Sequence, residues 1–184
     1  IGTGVQARHQ ARCLLDVMPI KEICCWGRNA ARLDELVQDL SDLDVSITAC
    51  SDLRELTQRS QLVVTTTSAK EPIIDVEWVQ PGTHITAVGS DTPDKCELDP
   101  RIFDKASIVV ADSIAQNKER GEIHQGLKQG TVKEEDILEL GDIFSDATKG
   151  RTNRDQITVV DLTGVAVQDL VIAEAVVKAK NHLD

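Results

Sequence analysis

The sequence predicts an α/β protein with a doubly wound, mostly parallel sheet, and three observations support this fold class. Apolar runs that suit strands alternate with helical patterns from one end of the chain to the other. A glycine-rich turn, "GTGVQA", stands directly before the first helical pattern. The run "LVVTTT" is β-branched and continuously apolar at its start, as in a strand buried on both faces. Strict alternation of strands and helices favours parallel βαβ units.

The first half of the chain predicts three helices and three strands. Apolar residues recur at helical spacing between residues 7 and 18. Asn29 is expected to cap a helix with an apolar stripe over residues 33–40. Ser51 is expected to cap a brief helix that runs through Leu56. The strands are expected at "EICCW", "VSITA" and "LVVTTT".

The second half continues the alternation. A turn at Pro81 and Gly82 precedes a strand that ends near Gly89, and a helix should begin near Asp99. Residues 114–144 are polar and helical in pattern, interrupted by glycines. Further strands are expected at "SIVVADS" and "ITVVDLTG". The final helix, "VAVQDLVIAEAVVKAK", is apolar nearly all round, so one sheet face would not cover it and a partner surface is expected.

Composition excludes several classes of function. The formal net charge of −11 disfavours nucleic acid and anionic lipid as partners, and no apolar run is long enough to span a membrane. The five cysteines include no CxxC pair, which favours free thiols in the cytoplasm. No metal site is expected, because the histidines show no ligand spacing. They are His9, His84, His124 and His182.

The opening turn carries the clearest chemical signal. Gly2, Gly4 and Ala7 match the GxGxxA pattern of Rossmann-type dinucleotide-binding domains. The glycines permit a tight turn and a close approach to a pyrophosphate, which rests on the helix N-terminus. In this fold the preceding strand is central, and Ile1 is its only remnant. The chain is therefore expected to be part of a longer protein.

The end of the second strand bears on the choice between NAD and NADP. An NAD site usually places an acid there, yet the sequence reads Trp26-Gly27-Arg28-Asn29. Arg28 is suited to a 2′-phosphate, which leans the choice toward NADP. The alternative is that Arg28 is simply an exposed residue beside a helix start.

Three later segments carry a resemblance to a known family. Following "GTGVQA", the segments "TTTSAKEPII", "PGTHITAVGSDTPDKCELDP" and "ITVVDLTGVAVQDL" resemble the ornithine cyclodeaminase/mu-crystallin family over essentially the whole chain. The resemblance implies a two-domain protomer. Residues 1–164 would form its NAD(P)-binding Rossmann domain, and residues 165–184 a helix that packs on an N-terminal domain. That domain would bind the substrate carboxylate and form a homodimer.

The resemblance also implies where the cofactor binds. The turn would hold the pyrophosphate, Arg28 and Asn29 the ribose or 2′-phosphate, and the threonine segment would pass under the cofactor. Two further strand ends would approach the nicotinamide. For Thr65 the alternative is simple β-propensity in a buried strand. The residues are Gly2, Thr3, Gly4, Val5, Gln6, Arg28, Asn29, Thr65, Thr66, Thr67, Val88, Gly89, Ser90, Thr163 and Gly164.

Asp91 is the candidate catalytic residue. It matches an acid that, in ornithine cyclodeaminases, faces the side-chain amine of the substrate and accepts its proton. Alternatively, Asp91 only opens the "SDTPD" turn. Lys95 and Glu97 are interpreted as solvated residues or neighbours of the site. Asp112 is interpreted as a cap for a helix at Ile114.

The resemblance implies an enzyme acting on a small amino or imino acid. The favoured activity is ornithine cyclodeamination, which converts L-ornithine to L-proline and ammonia. An imino-acid reductase or an alanine dehydrogenase is the alternative within the family. A non-catalytic, nucleotide-dependent binding protein is a third possibility.

Overall fold

Strands and helices alternate throughout residues 1–181, the part of the chain that the computed structural model describes; His182 lies outside it. The α/β fold expected from the sequence is confirmed. The helices are α1 (Val5–Val17), α2 (Ala30–Asp39), α3 (Leu53–Arg59), α4 (Ile102–Lys105), α5 (Ile114–Asn117), α6 (Glu122–Gln129), α7 (Leu140–Ser145) and α8 (Ala166–Asn181). The strands are β1 (Glu22–Cys25), β2 (Ser46–Ala49), β3 (Leu62–Thr65), β4 (His84–Ala87), β5 (Ile108–Ala111), β6 (Ile137–Glu139) and β7 (Thr158–Asp161).

The described strands all pair in parallel and form two sheets. β1 pairs with β2, while the other five follow the order β3-β4-β7-β5-β6. Parallel pairing requires a crossover between strands, and the helices supply it. The carboxyl ends of β1, β3, β4, β7 and β5 therefore meet at one edge, where ligands bind in folds of this class.

Ile1 occupies the strand position between the two sheets. Its amino nitrogen donates to the carbonyl of Val64 at 2.7 Å, and its carbonyl accepts from the amide of Thr66 at 2.9 Å. On the other side, the amide of Gly2 donates to the carbonyl of Trp26 at 2.9 Å. These bonds continue a parallel ladder across the gap. Ile1 therefore lies at the point where the winding of the sheet reverses, with β1 on one side and β3 on the other.

Behind Ile1 the gap opens into a cavity of about 580 Å³. Its walls come from α1, β1 and β3 and include Leu14, Ile23 and Val63. The cavity lies between the two sheets, beside the position that Ile1 occupies.

Two clusters of buried side chains stabilise the sheets. The larger lies around β3, β4, β5 and β7, with Ile85, Leu98 and Val159 completely buried. The smaller joins α1, α2 and β1 through residues such as Leu36 and Leu40. Burial of such apolar side chains contributes roughly 1.5–3 kcal/mol each. The strand ends at the functional edge are therefore held by well-packed cores.

Three expectations about individual elements were wrong. Asp52 caps α3 instead of Ser51, since its carboxylate accepts from the amides of Arg54 (2.8 Å) and Glu55 (3.3 Å). The helix expected near Asp99 begins at Ile102, because residues 99–101 form a turn. The segment 114–144 contains β6, which pairs with β5 at the edge of the sheet.

Candidate functional site

The glycine turn packs directly against the carboxyl end of β3. Gly2 has a φ of +112°, and a Cβ there would overlap Thr66 Oγ1 and approach the Thr66 carbonyl oxygen to 3.0 Å. Both the positive φ and the contact select glycine. Thr66 in turn donates its hydroxyl to the Ile1 carbonyl at 3.0 Å. The turn and Thr66 are therefore adjacent, as the sequence predicts for two parts of one site.

The N-terminus of α1 faces open space. Gly4 is the N-cap residue and supplies no side-chain cap, and the first turn of the helix carries no acidic residue. A Cβ on Gly4 would meet no atom within 4 Å. The amides of the first turn are thus free to bind a ligand, and the helix dipole favours an anion there. A diphosphate fits this arrangement in charge and in space.

The end of β1 lies beside the glycine turn. A Cβ on Gly27 would overlap Thr3 Cγ2, so the backbone of Gly27 packs against the side chain of Thr3. Arg28 follows and is exposed. Asn29 caps α2 as expected, with Oδ1 accepting from the amide of Arg32 at 3.1 Å. Arg28 and Asn29 therefore directly follow the residue that contacts Thr3.

The threonine segment divides into one buried and two half-buried residues. Thr65 is fully buried in β3, and its carbonyl accepts from the amide of Val88 at 2.9 Å. Within residues 1–181 its hydroxyl has no hydrogen-bond partner. This side chain packs in the core, so only its backbone lies near the edge. Thr66 and Thr67 follow the strand and are half-buried at the edge itself.

The loop after β4 is tied to the loop after β3 by one buried carboxylate. Glu97 Oε1 accepts from the amide of Thr67 at 2.5 Å, and Oε2 accepts from the amide of Gly89 at 2.9 Å. Of the two interpretations of Glu97, a solvated residue or a neighbour of the site, the first was wrong, since Glu97 is 0% exposed. The two loops cover its carboxylate, and their two amide donors replace the hydrogen bonds that water would otherwise make.

A second buried carboxylate lies next to it. Glu122, in the first turn of α6, accepts from the hydroxyl of Ser90 and from the amides of Glu97 (2.7 Å) and Leu98 (3.0 Å). The sequence analysis missed this residue. It stands in a polar, helical segment, where an acid is ordinarily solvated.

Asp91 is one of two exposed acids in the loop after β4, the other being Asp94. The carboxylate of Asp91 forms an ion pair with Lys95, four residues later in the same loop. Asp94 forms a separate exposed pair with Lys70 at 2.7 Å. The loop thus presents Asp91 at the edge that also carries Val88, Gly89 and Ser90.

The ends of β7 and β5 complete the edge. Asp112 accepts from the amide of Gly164 at 2.7 Å and from the hydroxyl of Thr163 at 3.3 Å. The expectation that Asp112 caps the helix at Ile114 was wrong. Glu139 accepts from the Ile114 amide at 3.1 Å instead. Asp112 therefore fixes the loop after β7.

Burial changes the acidity of two carboxylates at this edge. It raises the pKa of Glu122 to about 7, although the hydrogen bonds from Ser90 and from two amides oppose the rise. It also raises the pKa of Asp161 well above the ordinary value, against an opposing bond from the amide of Ile123. Desolvation thus dominates over hydrogen bonding at both residues.

Glu122 should make the stability of the protein depend on pH. Its ordinary pKa of 4.5 rises to about 7 on folding, so the folded state holds the proton more tightly. The free energy of unfolding should fall by up to about 3 kcal/mol as the pH rises from about 4.5 to about 7. Urea unfolding of the wild type and of Glu122→Gln at pH 5 and pH 7.5 measures this change in the free energy of unfolding. The glutamine variant should lose much of the difference, whereas exposed Glu119→Gln should keep it; equal losses would contradict the assignment.

In the described part of the chain, no helix combines the length and apolarity needed to cross a membrane. The same residues contain no group of three or more histidine, cysteine, aspartate or glutamate side chains placed to bind a metal ion.

The fold and the edge geometry define a Rossmann-type α/β domain, with a glycine turn and an uncapped helix at its switch point. The chain belongs to the ornithine cyclodeaminase/mu-crystallin family, whose model matches residues 1–182. The resemblance stated from the sequence is therefore confirmed.

The relatives include several types of enzyme. An uncharacterized cyclodeaminase of Sinorhizobium fredii is 40% identical over 94% of this chain and 53% of its own length. The structure of an archaeal alanine dehydrogenase dimer with bound NAD is 34% identical, with a TM-score of 0.91 over 98% of this chain and 57% of that one. The iminosuccinate reductase of Paracoccus denitrificans in complex with NAD⁺ is 32% identical, with a TM-score of 0.92 over 98% and 55%. The chain spans about half the length of these relatives.

Proposed function

We propose that this chain is the nucleotide-binding part of an NAD(P)-dependent enzyme that acts on a small amino or imino acid. Ornithine cyclodeamination, giving L-proline and ammonia, is the favoured reaction. One observation carries the proposal: an uncapped helix N-terminus behind Gly4 lies at the same sheet edge as the exposed carboxylate of Asp91. A dinucleotide site and an acid for the substrate amine are thus combined.

The residues of the turn would hold the dinucleotide. The amides at the start of α1 would bind the pyrophosphate, because they lack other partners and lie at the positive end of a 13-residue helix. Arg28 would face the adenosine ribose. The loops after β3, β4 and β7 would face the nicotinamide, which supplies reversible hydride transfer at the α-carbon of the substrate when bound.

Asp91 would bind the side-chain ammonium of the substrate and accept one of its protons. A carboxylate attracts an ammonium and can then act as a general base. Loss of that proton frees the amine for attack on the α-carbon. In the structure the ammonium of Lys95 forms an ion pair with this carboxylate.

An imino-acid reductase or an amino-acid dehydrogenase is the second candidate. The structures of the alanine dehydrogenase and the iminosuccinate reductase favour it, because both are more than 30% identical to this chain. The same turn and loops would serve these reactions. Asp91 does not by itself distinguish these reactions.

Net redox turnover distinguishes the candidates. The whole protein should be incubated with L-ornithine and a catalytic amount of NAD⁺ or NADP⁺, and ammonia and proline should be measured. A cyclodeaminase releases both without net change in the cofactor. Stoichiometric consumption of NADH or NADPH with pyrroline-2-carboxylate or iminosuccinate would support the second candidate instead. Dinucleotide binding with no turnover of any of these substrates would favour a binding protein.

We also propose that α8 packs on another domain of the protein and that the protein is a homodimer. Six large apolar side chains of α8 are more than half exposed in the described chain. A surface of this kind is usually covered in a soluble protein. They are Val167, Leu170, Val171, Ile172, Val176 and Val177.

Arg28 should set the preference for NADP. The 2′-phosphate of NADPH would form a charge-assisted hydrogen bond with its guanidinium, and NADH lacks that group. We expect Arg28→Ala to weaken NADPH binding roughly 10-fold, which corresponds to about 1.4 kcal/mol, and to leave NADH binding nearly unchanged. Fluorescence titration of both cofactors measures this. Arg32→Ala, an exposed change in α2, is the control; equal effects of Arg28→Ala on both cofactors would contradict the role.

A further inference from the structure

We infer that Glu97 is a positioning residue for the cofactor: it holds the loops after β3 and β4 at a fixed separation, so that both backbones face the nicotinamide end of the dinucleotide. The inference rests on the proposed function, because it concerns a dinucleotide bound at this edge of the sheet. Glu97 itself need not touch the cofactor. Its role is to fix the two backbones that do.

The geometry of the carboxylate carries the inference. One oxygen accepts from the amide of Thr67 and the other from the amide of Gly89. These amides lie two residues beyond the ends of β3 and β4, which end at Thr65 and Ala87. The strand ladder no longer fixes the backbones there. The carboxylate of Glu97 instead joins the two backbones, with one oxygen bound to each amide.

The close packing around Gly89 agrees with this role. A Cβ on Gly89 would overlap both the carbonyl oxygen of Thr67 and Oε2 of Glu97. The φ of Gly89 is not in the left-handed region, so backbone conformation does not demand glycine here. Glycine is needed at residue 89 because a side chain there would occupy the space of the Glu97 carboxylate. The two loops and the acid between them form one tightly packed unit.

Glu97 is itself held from behind. Its amide donates to Glu122 Oε1 at 2.7 Å, and its carbonyl accepts from the amides of Ile73 (2.8 Å) and Ile74 (3.1 Å). Ser90, in the loop after β4, also donates to Glu122. The bridge is therefore anchored to α6 and to a buried segment after β3. A side chain anchored in this way can transmit a fixed geometry to both loops.

A carboxylate suits this position better than its amide. Both oxygens accept, whereas glutamine offers one acceptor and a second group that only donates. In Glu97→Gln one backbone amide would therefore face a donor and lose its bond. The variant keeps the size of the side chain. It removes half of the bridge without leaving a cavity.

Comparison of NADH with ADP-ribose separates positioning of the nicotinamide from general damage. ADP-ribose retains the adenosine and pyrophosphate and lacks the nicotinamide. In isothermal titration of the whole protein, we expect Glu97→Gln to raise the Kd of NADH roughly 10-fold and to change the Kd of ADP-ribose less than about 2-fold. The control is Ile137→Ala, which opens a cavity in β6 away from both loops. It should change neither the Kd of NADH nor the Kd of ADP-ribose.

The other outcomes have defined meanings. Unchanged binding of NADH, or equal weakening of both ligands, would overturn the inference. Wild-type protein that bound neither NADH nor ADP-ribose would overturn the proposed function as well. If the wild-type protein binds both ligands, the proposed dinucleotide site is supported. The affinities of Glu97→Gln then test the role of Glu97 separately.

Hydrogen exchange of the wild-type protein tests the inference without a variant, should Glu97→Gln fail to fold. The amides of Thr67 and Gly89 should exchange slowly although they lie outside the strands. NADH should slow them further, and ADP-ribose should not. Exchange at the rate of an open loop, or equal protection by both ligands, would overturn the inference.

Discussion

Replacing Gly4 by valine is expected to raise the Kd of NADH roughly 100-fold, about 2.7 kcal/mol, while the protein remains folded. The N-cap backbone is extended, with φ −83° and ψ −171°, a conformation that valine adopts readily. No atom lies within 4 Å of the new Cβ. The added side chain would stand where the pyrophosphate is proposed to approach the amides of α1.

Stability and ligand binding must be measured separately for this variant. Loss of a glycine N-cap should cost no more than about 1 kcal/mol, which thermal unfolding can detect. Gly141→Val is the matched control, because Gly141 in α7 also has open space around its Cβ. Gly4→Val with wild-type affinity for NADH would contradict the placement of the pyrophosphate.

Replacing Asp91 by asparagine should lower kcat by about 10²–10⁴-fold and leave the affinity for NADH nearly unchanged. Asparagine keeps the size of the side chain and removes the charge that would bind the ammonium and accept its proton. The loss should appear with whichever diamino acid the protein turns over. Steady-state kinetics combined with direct titration of NADH separates the two effects.

Asp94→Asn provides the control for Asp91→Asn. Both acids are exposed, lie in the same turn and form ion pairs with lysines. The control should lose little activity, because Asp94 pairs with Lys70 instead of facing the proposed substrate. Similar kcat values for Asp91→Asn and wild type would mean that Asp91 serves only to open the turn.

Local patterns were sufficient to predict most elements of the fold. The continuous apolar run at Leu62–Thr65 and the side-chain cap at Asn29 are both present as expected. In each case the determining interactions are close in sequence. β6 was missed because three residues in a charged segment carry too little periodicity, and pairing with β5 decides their conformation.

The order of the strands depends on contacts that local patterns do not contain. β7 lies between β4 and β5 although it is the last strand in sequence. The alternation of elements favours a parallel sheet, but it gives no register between segments so far apart. The confirmed family relationship supplies that information for the chain as a whole.

The buried acids were beyond a prediction from sequence for a different reason. Glu97 and Glu122 are ordinary charged residues in the sequence, and such residues are seldom buried without partners. Among their partners are backbone amides 30 and 24 residues away, at Thr67 for Glu97 and at Leu98 for Glu122. Only the folded arrangement brings these donors together. By contrast, Gly2 and Gly4 were recognised because their spacing is itself the signal.

The central claim is that the first-turn amides of α1 bind the pyrophosphate of a nicotinamide dinucleotide. Titration of NADH into ¹⁵N-labelled protein, followed by the amide resonances of Gly4, Val5 and Gln6, tests it most directly. These resonances should shift with the same saturation curve as the fluorescence of the bound cofactor. Saturable NADH binding that left all three resonances unchanged would contradict the claim.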